Sequence, residues 1–186
     1  IDFYGAYTSL DVNSDRSVVS LYTLNKYFNT IVPIFIDAIK NACFPEEEFQ
    51  VLLDQRKQSF SINAEKVDFI ARKAFFAHLF KNHSYGKEAT LANFQELSRE
   101  DLIEFHKSHY KKANLKTYLS GEIPPNAHKL LDELLGDWEQ NKPIVHKPFT
   151  DKTSQDKIHI AKEGALQSAI RIGRVCFNSH HKDYLE

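Results

Sequence analysis

The sequence predicts an α+β fold in which helices pack on an antiparallel sheet. Three observations lead there. Stretches rich in β-branched and aromatic residues stand near both ends of the chain. The middle is dominated by apolar residues recurring at three- and four-residue steps. Strands and helices do not alternate one for one, as a parallel βαβ arrangement would require.

Residues 4–24 read as strand. Gly5-Ala6-Tyr7-Thr8 opens the segment, Asn13-Ser14-Asp15 interrupts it, and Ser17-Val18-Val19-Ser20-Leu21-Tyr22 resumes it. Either two strands joined by a polar turn or one long bulged strand fits. From Asn25 to Ala42 the positions Tyr27, Phe28, Ile31, Phe35, Ala38, Ile39 and Ala42 mark one face of a helix. Pro33 inside it predicts a kink, or a start nearer Thr30. Pro45 followed by Glu46-Glu47-Glu48 opens the next helix, with acids at the positive end of its dipole, running to about Ser59. Ile62 to Lys81 is a further helix with Val67, Ile70, Ala71, Ala74, Phe75 and Leu79 inward, and a loop follows over 82–87. Ser98-Arg99-Glu100-Asp101 is a capping pattern that starts a helix ending near Tyr110. Asn114 to Ile123 reads as a strand, and Pro124-Pro125 opens a helix through Trp138. Residues 141–155 lack periodicity and read as a linker. Lys157–Ile160 and Gln167–Gly173 read as two further strands.

Composition narrows the function classes. The chain of 186 residues has 42% hydrophobic residues and a formal net charge of −1, so no overall field favours nucleic acid or an anionic membrane. No apolar run approaches the ~20 residues that span a bilayer. The 2 cysteines, Cys43 and Cys176, make no disulfide framework and are expected to be buried as small apolar residues. The compartment is left open. The chain starts at Ile1 just before a strand-like segment, ends on a helix-like beginning, and has no methionine. It reads as a segment cropped from a longer protein, or as a chain from which modified methionines are missing.

Several motifs, in this order, resemble the M16 (insulinase/pitrilysin-like) zinc metallopeptidases. Gly5-Ala6-Tyr7 with the strand after it is similar to the segment following that family's metal-binding helix. His83-Ser84-Tyr85-Gly86 resembles the family's His-Pro-Tyr-Gly loop, with Ser in the Pro place. Leu97 to Tyr110 resembles a segment ending in Y-x-x-x-N, and Ser120-Gly121-Glu122-Ile123 a Gly-Asp-hydrophobic turn. Gln167 to Gly173 looks like the first paired strand of a second homologous half. The resemblance implies the M16 fold, shared with LuxS and the mitochondrial processing peptidases. It also implies a division into a peptidase-like domain over 1–140, lacking its first strands and zinc-binding helix, the linker 141–155, and the start of a second half over 156–186.

Active members of that family hold zinc with an inverted HxxEH motif and a distant Glu. Two His at i and i+4 share a helix face, the Glu between them is the general base, and one coordination position stays open for water. No HxxEH occurs here; by the resemblance it would lie upstream of Ile1. The distant Glu follows an apolar triplet and another Glu. Glu48 matches the earlier acid and Val51-Leu52-Leu53 the triplet, which puts Gln55 at the ligand position. A neutral amide offsets no dipositive charge. The alternative register pairs Glu47 with Asp54, a shorter carboxylate. Lys57 and Gln58 suit the metal-free halves of the family, so the expectation is no catalytic residue and no metal ligand in this segment.

Other constellations have plainer readings. His106 and His109, at i and i+3, want further ligands to hold zinc and are expected to interact with the helix C-terminal dipole. His83, Tyr85 and Gly86 are expected to fix a loop, with Gly86 permitting the turn. His180-His181 reads as solvated. Phe69, Phe75, Phe76 and Phe80 read as core or as a surface covered by a partner. The resemblance therefore implies a non-catalytic domain or subunit that closes a clam-shell chamber and helps hold an extended peptide. Its partner would be a homologous half, or a second copy in a homodimer. The competing expectations are an active zinc endopeptidase whose HxxEH segment is missing here, and a purely structural assembly subunit.

Overall fold

The computed structural model describes residues 1–81, 83–138, 149, 157–176 and 182. It is α+β: helices accompany a two-stranded antiparallel sheet. Two compact units are present, one of residues 1–49 and 98–146, the other of residues 50–97 and 147–186.

In the first unit, β1 (Tyr7–Val12) and β2 (Ser17–Tyr22) form a hairpin with Tyr7 opposite Tyr22 and Val12 opposite Ser17. The two-strand reading holds because Asn13 makes the turn: its Oδ1 accepts from the N–H of Asp15 at 2.9 Å and of Arg16 at 3.1 Å. Tyr7 and Tyr22 stack at 4.5 Å, locking the register.

Helix α1 (Phe28–Lys40) contains Pro33 and is preceded by a 3-10 turn, Asn25–Tyr27. Its buried face is Phe28, Ile31, Val32 and Ile36, so the stripe includes Val32 and Ile36, while Ala38 is exposed. Phe28, Val32 and Ile36 lie one turn apart and pack with Ala127 and Leu135 of α6 (Ala127–Leu135). Each such large side chain contributes about 1.5–3 kcal/mol when fully buried. Leu130, Leu131, Leu134 and Trp138 close around this core. Lys40 finishes the contact: its ammonium donates to the Leu134 carbonyl at 2.9 Å and to Asp137 at 2.6 Å. It thus serves a carbonyl that the end of α6 leaves unpaired. Helix α5 (Arg99–His109) starts where expected, on a reciprocal box between Ser98 and Asp101.

The second unit holds most of α2 (Glu46–Ala64), all of α3 (Val67–Phe80) and the short α4 (Leu91–Glu96). Ile62 belongs to α2, not α3, because the break falls at Glu65-Lys66. Helix α4 was unforeseen, although Thr90 and Asn93 make a capping box at its start.

Asn114–Ile123, Lys157–Ile160 and Gln167–Gly173 were expected as strands. Among the described residues none of them joins a ladder; Lys112–Asn114 is a 3-10 turn and the rest is irregular. The pattern that favours an extended backbone is present, but a strand also needs a hydrogen-bonded neighbour, and a sequence does not reveal whether one is there. Around 169–175 the contacts alternate although burial does not, since Arg171 and Gly173 are themselves exposed. Ala169 and Val175 are half-buried, Arg171 pairs with Asp68 of α3, and Gly173 lies against Phe75. Ile170 and Ile172, between them, are 81% and 94% exposed. The linker 141–155, apart from Phe149, and His180-His181 fall outside the described residues. Cys43 and Cys176 are exposed, contrary to expectation; a small side chain carries too little area to enforce burial.

Candidate functional site

Pro45 and the three acids of its first turn set α2 going, and the helix then presents Phe49 and Leu53, one turn apart, as its buried residues. The remainder of the expected metal region faces away from that stripe. Glu48, Asp54 and Gln55 are exposed, and Val51 and Leu52 of the apolar triplet are 55% and 48% exposed. Asp54 stands 3.8 Å from the Lys57 ammonium, one turn on. Among the described residues no group of three or more His, Cys, Asp or Glu is gathered closely enough to hold a metal ion. The donor set of α2 does not fit zinc: a neutral amide at Gln55, and a carboxylate at Asp54 already facing an ammonium.

His106 and His109 are engaged elsewhere. His106 Nε2 donates to the Ile39 carbonyl at 2.7 Å, and its ring stacks on Tyr110 at 4.8 Å. His109 stacks on Phe105 at 4.0 Å, and its Nδ1 is 3.1 Å from the Phe105 carbonyl. Phe44 meets His106 edge-on at 5.5 Å. Phe44 also has a φ of 46°, a strained value for a bulky residue. Arg99 holds that turn in place, donating to the Phe44 carbonyl at 2.5 Å and the Cys43 carbonyl at 3.2 Å. This anchor was not apparent from the sequence, where Arg99 is simply the first residue of a helix.

The 83–86 loop is a compact aromatic knot. His83 Nδ1 accepts from the Tyr85 N–H at 3.3 Å, and their rings lie 4.5 Å apart. Tyr85 meets Phe80 edge-on at 5.3 Å, and Phe149 touches both Phe80 and His83. Phe80 closes the turn, its carbonyl accepting from the His83 N–H at 2.9 Å. Lys81, inside that turn, has φ 44° and ψ −114°, angles that suit glycine. Gly86 is buried and its φ is not positive. A Cβ there would stand 2.8 Å from the Lys81 carbonyl oxygen and 3.2 Å from that of Phe76. The glycine is needed for space rather than for handedness.

Among the described residues, three carboxylates are held below the usual range. Hydrogen bonding and charge from Lys40 lower Asp137, the same effects of Lys162 lower Glu65, and the Ser98 hydroxyl and N–H lower Asp101.

Two comparisons place these features. Residues 96–186 match the model of the Peptidase M16 inactive domain. The M16 resemblance read from the motifs is thereby borne out. A curated relative described as "Uncharacterized zinc protease", from Rickettsia bellii (strain RML369-C), is 24% identical over 144 residues. That alignment covers 72% of this chain and 34% of the relative, so the chain spans about a third of that relative's length. No helix among the described residues is long and apolar enough to cross a membrane.

Proposed function

We propose that this chain is a non-catalytic part of an M16-family zinc protease, with the M16 fold, that closes a peptide chamber and helps hold an extended peptide. The observation that carries the reading is the match of residues 96–186 to the family's inactive domain. The α2 register supports it, because Gln55 offers an amide where an active member needs a carboxylate. The bare alternation at 169–175 supports the peptide-holding part: an unladdered segment can accept another strand along its edge. In this reading residues 1–140 form a peptidase-like domain, 141–155 a linker and 156–186 the beginning of a homologous second half. His83, Tyr85 and Gly86 brace a loop, and the partner is a homologous peptidase half.

The test is zinc content by elemental analysis of the purified chain, with cleavage of a fluorogenic peptide library. The expected outcome is zinc well below one equivalent and no turnover. Stoichiometric zinc with turnover abolished by a chelator would overturn the proposal. The relative's description as a zinc protease favours a second reading, in which the whole protein containing this chain is an active endopeptidase. In that case the whole protein, with an HxxEH segment outside this chain, turns peptide over with chelator sensitivity, and Asp54→Ala, at the alternative ligand register, lowers its zinc content.

A further inference from the structure

We propose that the second unit binds an apolar chain ending in a carboxylate, the chemistry of a medium-chain fatty acid. The end of α2, the length of α3 and the start of α4 enclose an open groove of about 490 Å³. That volume lies within the ~300–1,000 Å³ of small-molecule sites. Its walls include Phe60, Phe69, Ile70, Ala77, Leu91 and, from the 157–160 segment, Ile160. These are hydrocarbon surfaces to which a polar ligand gains nothing by binding.

Among the described residues, one charged side chain reaches this trough. Lys73 lines it, with its ammonium 5.6 Å from the centre of the Phe60 ring and 3.4 Å from the Ala89 carbonyl. Among the described residues no carboxylate stands within ion-pair distance of Lys73. Glu88, next to Ala89, is taken by Arg72 at 3.0 Å, and Asp68, five residues before Lys73, pairs with Arg171. Thr90 also lines the groove, but its hydroxyl is committed to Asn93 as the cap of α4. An ammonium has three donors, and one long bond leaves donors to offer. A cation beside a hydrocarbon trough selects an amphiphile of opposite charge. An alkyl carboxylate satisfies both parts, whereas an alcohol satisfies one and an alkylammonium is repelled. The inference does not depend on the M16 reading, since no residue of the α2 metal region lines the groove.

The experiment is calorimetric titration of the purified protein with octanoate, decanoate and dodecanoate below their micelle concentrations, with decanol and decylammonium alongside. Saturable one-to-one binding of decanoate is expected, strengthening about two- to fourfold per methylene. Decanoate should bind about two- to fivefold more tightly than decanol, a preference that 0.5 M salt reduces. Lys73→Met should erase the preference while retaining decanol binding, which also shows that the groove is still folded. Ala77→Trp, at an exposed position of the wall, should weaken both ligands together. The proposal is overturned by absence of saturable binding, by decylammonium binding as well as decanoate, or by Lys73→Met keeping the preference. Equal binding of an apolar peptide with a blocked C-terminus would overturn it as well, marking the groove as a protein surface.

Discussion

Replacing Gly86 with alanine tests the account of the 83–86 loop. The new methyl group would lie 2.8 Å from the Lys81 carbonyl oxygen, and 3.2 Å from both the Lys81 nitrogen and the Phe76 carbonyl oxygen. All three atoms belong to the backbone, so no side chain can rotate away to make room. Overpacking of this kind costs about 1–3 kcal/mol. The lower unfolded-state entropy of alanine returns about 0.4–1 kcal/mol. A net loss of about 1–2 kcal/mol follows, which for a chain of this size lowers Tm by roughly 2–8 °C. Thermal unfolding followed by far-UV circular dichroism would measure it, with Ser61→Ala on the exposed side of α2 as a reference. A Tm within about 1 °C of the parent, or above it, would refute the reasoning. The glycine would then be a passenger in a loop that has room to spare.

Three further outcomes follow from the same geometry. Lys81→Gly should raise Tm by about 2–4 °C in the same assay, since relief of strained angles, worth about 1–3 kcal/mol, outweighs the entropy of glycine. Acid should destabilise the fold: Asp137, Glu65 and Asp101 are all lowered, so the stability they contribute is present above their unfolded values and is lost as pH falls below about 4 through their folded values. Urea midpoints measured from pH 6 to pH 2.5 check this, and Asp137→Asn should flatten part of the slope. Cys43 and Cys176 should both react with a thiol reagent in the native protein within minutes, because both are exposed; protection of either until unfolding would contradict the structure.

What the sequence discloses depends on whether the deciding contact is local. The Ser98 box, the Asn13 turn and the amphipathic stripe of α1 are short-range patterns, and each was readable. Helix α4 was equally local, yet its cap uses Asn93 in place of the usual acid, and the segment is short. Strand pairing is not local. Asn114–Ile123 has the composition of a strand, but its fate depends on a neighbour that no periodicity identifies. At the candidate site, the absence of a carboxylate at Gln55 could be read directly. That Phe49 and Leu53 are the buried positions of α2, leaving Glu48, Asp54 and Gln55 outward, depends on packing. The role of Arg99 was hidden for the same reason: its partners, the carbonyls of Cys43 and Phe44, lie more than fifty positions earlier in the chain.

Ile170 and Ile172, left bare in a segment that joins no ladder among the described residues, bear on how this chain behaves in water. An unprotected row of amide donors and acceptors flanked by isoleucine recruits whatever strand arrives first, including the same stretch of a second molecule. Dilute conditions should keep the chain dispersed. Concentrating it alone should bring turbidity and thioflavin fluorescence, and a lysine in place of Ile172 should delay both.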